Sequence, residues 1–148
     1  MSYVVRTTIE IDAPASRIWD ILVDLESYHE WNPFIARATG RIRPGATFEV
    51  SPRVSGGRQV TFVPRVTDYQ EGRAFTWTGE FFHPWFALGD HTFRLTPLDG
   101  GRIRLDHDER IYGIGSVLVW LLGKRQIRSG FDAMNLALKR KAEGASKQ

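Results

Sequence analysis

Residues 89–113 read GDHTFRLTPLDGGRIRLDHDERIYG, and two alternating runs flank the tripeptide Asp99-Gly100-Gly101. His91, Phe93 and Leu95 alternate with Asp90, Thr92 and Arg94. Ile103, Leu105, His107, Glu109 and Ile111 share one parity on the other side. Period-two alternation marks half-buried strands, so this stretch is an antiparallel hairpin. Its register follows from charge. With Asp99-Gly100-Gly101 as the loop and a glycine in the left-handed position of a bulge, Leu98 faces Arg102. Arg94 then faces Asp106, and Asp90 faces Arg110, on the outer side. A shifted register would oppose Arg94 to Arg104 and Asp90 to Asp108, and like charges directly opposite are unfavourable. On the inner side the first register sets Phe93 against His107 and His91 against Glu109.

Working outward, the same alternation recurs upstream. Val5, Thr7, Ile9 and Ile11 form one inward parity, and Asp12-Ala13-Pro14 ends that strand. Ser16 or Asp12 could cap the helix that follows, and Pro14 suits its first turn. Ile18, Trp19, Ile21, Leu22 and Leu25 recur at helical spacing. Turn signals at Pro44-Gly45, Ser55-Gly56-Gly57, Glu71-Gly72 and His83-Pro84 divide the middle of the chain into short strands. Closely spaced strands with polar turns indicate an antiparallel meander. After Gly113 and Gly115 the pattern turns helical. Trp120, Ile127, Phe131, Met134 and Leu138 make one stripe, with Leu121 beside it. That helix would reach roughly 40 Å, with Gly123 and Gly130 as points where it could bend. Residues 144–148 read as a frayed, disordered tail.

The 148 residues show no repeat, linker or second core, so the expectation is one α+β domain over residues 1–148. A sheet that curls needs a cover on its concave side, and the long helix is the only large cover available. Phe48, Phe62, Phe75, Trp77, Phe81, Phe93, Phe131 and Met134 would line the space between them, as a ligand cavity or as filled core.

Three segments carry a resemblance. IDAPASRIWDILVDLESYHEWNPF (residues 11–34) resembles the opening strand and helix pair of the polyketide cyclase/dehydrase-like branch of the START-related (SRPBCC) superfamily. Residues 89–113 and FDAMNLALKRKAE (131–143) resemble its last hairpin and closing helix. The resemblance implies a helix-grip fold: about six or seven antiparallel strands curved around a long C-terminal helix, with two short helices after the first strand. It also implies a deep hydrophobic cavity, in a family whose members bind lipids, sterols or polyketides and sometimes catalyse cyclisation or dehydration.

Within such a cavity His91, His107 and Glu109 are the candidate acid–base groups. Burial raises the pKa of a carboxyl and lowers that of an imidazole, whereas pairing opposes both shifts. Three readings stay open. The first is binding of a hydrophobic or aromatic small molecule. The second is a cofactor-independent cyclase or dehydratase. The third is an interaction module in which Trp85, Phe86 and the basic C-terminal helix dock on a protein or an acidic membrane. His91–Glu109 could also be only a tie between strands.

Several classes are disfavoured. Cysteine is absent, which excludes thiolate catalysis and zinc–thiolate sites and suits a cytoplasmic setting. No metal motif, P-loop or dinucleotide fingerprint is present, so no metal or other cofactor is expected. The net charge of +3 and the inward parity of the aromatics argue against nucleic acid as a partner. No apolar run is long enough for an integral membrane segment, and the N-terminus lacks the pattern of a signal peptide. A monomer or a homodimer is expected.

Overall fold

The computed structural model describes residues 2–53 and 60–144. The expected turn at Ser55-Gly56-Gly57 and residues 145–148 of the expected tail lie outside the described residues. Gly144 is the last residue of a helix.

The chain opens with β1 (Ser2–Ile11), then α1 (Ala15–Val23) and, after a single 3-10 turn, α2 (Tyr28–Trp31). Six more strands follow: β2 (Ile35–Thr39), β3 (Glu49–Pro52), β4 (Arg65–Gln70), β5 (Ala74–Phe81), β6 (Ala87–Pro97) and β7 (Ile103–Tyr112). Helix α3 (Ser116–Gly144) closes the chain. Five strands hydrogen-bond in the order β1-β7-β6-β5-β4, and β2 pairs with β3. Two sets of backbone bonds join the pieces: Val66 N donates to Ala46 O at 2.9 Å, and Val50 and Phe62 exchange bonds of 2.9 and 2.8 Å. The result is one curved antiparallel wrap of seven strands, with α3 lying along β1 and β7.

The β6–β7 hairpin has the register expected from its charges. Asp90 lies opposite Arg110, His91 opposite Glu109, Phe93 opposite His107 and Arg94 opposite Asp106. Leu98 N donates to Arg102 O at 2.8 Å, and Gly100 and Gly101 both take positive φ, at 84° and 83°. Two left-handed residues in succession are cheap only for glycine, which is why the loop falls there.

Helix α3 buries Phe131, Met134, Asn135, Leu138 and Ala142 on one face. Its C-terminal end is tied to the β1–α1 junction. Lys139 Nζ donates to Glu10 O at 2.7 Å, and Glu143 Oε2 accepts from Asp12 N at 2.8 Å. Arg17 Nε donates to Ala142 O at 2.8 Å, placing a cation on the negative end of the helix dipole. In the N-terminal half Leu118, Leu121 and Leu122 are exposed, while Trp120 stacks on Tyr3 at 4.9 Å.

Two local expectations are corrected. Neither Asp12 nor Ser16 caps α1; Pro14 is its N-cap, and Pro14 O accepts from Arg17 N and Ile18 N. Nor does α3 break at Gly123 or Gly130. Gly130 instead lets the Phe34 ring lie directly on the helix, where a Cβ would collide with that ring. In Gly130→Ala the better helix propensity is offset by overpacking, for a net loss on the order of 1 kcal/mol in urea unfolding. A net gain would show that the Phe34 ring moves aside freely.

Candidate functional site

The inward parity of β6 and β7 brings His91, His107 and Glu109 together, all buried, beneath α3. His107 is sandwiched between Phe93 and Phe131, with ring centroids 4.2 and 3.9 Å away. His91 packs on Trp77 at 4.4 Å and on Phe131 at 4.8 Å. Aromatic faces on both sides exclude water from the imidazoles, and a dry environment disfavours a charged ring. Glu109 lies over Gly89, where a Cβ would meet both its Oε1 and the Phe81 ring. Glycine at that point is what makes room for the carboxyl.

The polar atoms form one chain. Glu109 Oε2 lies 3.2 Å from His91 Nδ1. His91 Nε2 and His107 Nε2 are 2.6 Å apart, and His107 Nδ1 is 2.7 Å from Asn135 Oδ1. Asn135 Nδ2 donates to Thr7 Oγ1 at 2.9 Å, and Thr7 Oγ1 donates to His107 O at 2.6 Å. Five side chains from β1, β6, β7 and α3 thus meet beneath the helix.

The expected contest between burial and pairing goes to burial. It pushes His91 down to about 3. His107 also lies well below its ordinary value, through burial and then the neighbouring His91, opposed by the Asn135 hydrogen bond. Glu109 rises to about 8, through burial and then the negative charge of Asp90. The His91–Glu109 contact therefore has the spacing of an ion pair but joins two neutral groups near pH 7.

Six of the eight apolar candidates, Phe48, Phe75, Trp77, Phe93, Phe131 and Met134, are buried. Phe62 and Phe81 are half-buried. Their rings touch in sequence: Phe48 packs on Trp77 at 5.1 Å, and Phe93 lies 5.1 Å from Phe75 and 5.5 Å from Trp77. This is a continuous aromatic wall running from Phe48, just ahead of β3, to the two histidines. A surface cleft of about 360 Å³, lined by Arg17, Asp20, Asp24, Trp31 and Lys141 among others, shares no residue with that wall. Trp85 is exposed at the β5–β6 end, while the Phe86 ring lies against Gly115. Among the described residues, no helix is long and apolar enough to cross a membrane.

Thr7 and Asn135 were not among the sequence candidates. Alternation puts Thr7 on the inward parity of β1 but gives it no role. Asn135 follows Phe131 by four residues, so it shares the face of the apolar stripe. A polar residue on such a face is the signal that could have found it.

Known proteins place this geometry. No curated protein matches the sequence. Solved structures share the fold. A START superfamily protein from Mycobacterium smegmatis superposes with a TM-score of 0.73 at 21% identity, over 96% of this chain and 98% of that one. The di-domain ARO/CYC StfQ from the steffimycin biosynthetic pathway gives 0.76 at 14% identity, over 98% of this chain and 52% of that one. The Zhui aromatase/cyclase from a Streptomyces species gives 0.66 at 16% identity, over 95% and 96%. At these identities the likeness speaks for the helix-grip fold alone. The sequence profile of the family described as polyketide cyclase / dehydrase and lipid transport matches residues 3–143, and the chain belongs to that family.

Proposed function

We propose that this protein binds a hydrophobic, partly aromatic small molecule between the inner face of the sheet and α3. The observation that carries the reading is the aromatic wall ending on a buried polar chain. An apolar surface with a few convergent polar groups is the usual make-up of a small-molecule site. Membership of a family that includes lipid-transport proteins supports it. Native mass spectrometry of freshly purified protein should show an added mass that denaturation releases. With that compound in hand, Trp77→Ala should weaken binding roughly tenfold or more, by removing a large contact surface. Unchanged affinity would place the ligand elsewhere.

A second reading, a cyclase or dehydratase, draws support from the Glu109–His91–His107 chain. A carboxyl held near pH 8 is matched to proton transfer at neutral pH. Turnover of the released compound that survives Glu109→Gln would end that assignment.

A further inference from the structure

The backbone carbonyl of His107 can only accept a hydrogen bond, so the Thr7 hydroxyl bonded to it must donate. The Thr7 oxygen is then the acceptor for Asn135 Nδ2. That turns Asn135 Oδ1 toward His107, and Nδ1 of His107 must carry the proton. A neutral His107 therefore has a bare Nε2, which accepts from His91 Nε2–H. His91 in turn has a bare Nδ1, facing Glu109 Oε2. One fixed carbonyl thus orients the whole chain, from Thr7 on β1 to Glu109 on β7.

We infer that Thr7 and Asn135 are positioning residues that hold one proton on the Glu109–His91 pair, so that Glu109 offers its ligand only an accepting oxygen and the site selects a neutral molecule bearing a hydroxyl. Losing that proton would leave a carboxylate facing a bare ring nitrogen, with both partners accepting and no donor between them. His91 cannot turn its proton outward, because His107 has none on Nε2 to give in exchange. Oε2 is committed to His91, which leaves Oε1, beside the half-buried Phe81. An anionic ligand would meet another acceptor there. The groups set against Glu109 are His91 and, from the other face of β6, Asp90, whose charge also disfavours a carboxylate. From α3, Phe131 and Asn135 cover the two histidines. The ligand half of this inference rests on the proposed binding function; the proton direction does not.

Two measurements on the full chain separate them. Long-range proton–nitrogen correlation spectra read each histidine tautomer directly. His107 should be protonated on Nδ1 and His91 on Nε2, unchanged across the range where free histidine titrates. Thr7→Val frees the Asn135 amide to turn over, so raising the pH should reverse both tautomers and let Glu109 ionise earlier. Thr7→Ser should keep the native pattern. Protonation of His107 on Nε2 in the unmodified protein overturns the inference even if Thr7→Val does not fold. Tautomers that Thr7→Val leaves unchanged at every pH overturn it too. Calorimetric titration with 2-naphthol, naphthalene and 2-naphthoate then reads selection. 2-Naphthol should bind tightest, by roughly tenfold over naphthalene, the worth of one hydrogen bond. Naphthalene or 2-naphthoate binding as well as 2-naphthol overturns the selection and leaves the binding function standing. Binding of none of the three rejects selection together with the function, while the tautomers stand.

Discussion

Replacing Phe131 with alanine should cost about 3–5 kcal/mol of unfolding free energy, the range for deleting a buried phenylalanine ring. Against the 5–15 kcal/mol typical of a domain, that is a large share of the total. The ring is 1% exposed and lies nearly parallel to His107, at 11° and 3.9 Å. It also meets His91 at 4.8 Å and Phe34 edge-on at 5.5 Å. Removing it opens a void and also takes away the apolar face that keeps water from both imidazoles. The loss should therefore come with a second sign, histidines that titrate closer to their ordinary range. Phe131→Leu refills most of the volume and should cost less. Urea unfolding gives the first quantity and proton NMR of the histidine rings the second. A loss under about 1 kcal/mol, with both rings still refusing protons, would show that another group seals the site.

The pH dependence of stability should peak near pH 6.5 and fall on either side, as far as this cluster contributes. The histidines have lowered folded values, so their share is complete above the unfolded value of 6.5 and is lost as pH falls below it, for His91 toward about 3. Glu109 has a raised folded value. Its share is complete below the unfolded value of 4.5 and is lost as pH rises through about 8. Between pH 4.5 and 6.5 the unfolded chain holds two histidine protons and the folded chain one carboxyl proton. Stability there rises with pH by about 1.4 kcal/mol per unit. Between 6.5 and 8 the folded chain alone holds a proton, and stability falls at the same rate. Glu109→Gln should abolish that alkaline fall, because the amide N–H donates to His91 Nδ1 as the carboxyl O–H does. The variant should thus match the parent near pH 4.5, where Glu109 is protonated in both states, and exceed it by a growing margin as pH rises toward 8. An ion pair would behave in the opposite way, since removing one buried charge strands the other. Urea midpoints across pH 5 to 9 distinguish the two.

Much of the hairpin was legible in the chain itself. Opposed charges on the outer face and two glycines in the loop left one acceptable register, and that register brings His91 to Glu109 and Phe93 to His107. Alternation likewise placed the aromatic wall. Other features are set by distances no local pattern encodes. Thr7 and Asn135 meet across 128 residues, and their contact depends on how α3 is rotated about its axis. The protonation of Glu109 was a contest between burial and pairing, and only the packing of Phe93, Phe131 and Trp77 around the rings decides it. Gly130 looked like a weak point because its partner, Phe34, lies far away in sequence.

The chain from Glu109 to Thr7 also has a consequence for the order of events in folding. It joins Thr7 on β1 to Asn135 on α3, so a loop spanning most of the protein must close before any direction is imposed. Closing long loops is entropically slow, and contacts of this span are made late. Until α3 docks, two histidines and a carboxyl sit on a sheet face open to water, where they titrate as ordinary residues. Docking should dehydrate all three in one step, with proton release from the histidines and proton uptake by Glu109. The last folding phase of this protein should therefore be the one whose rate depends on pH.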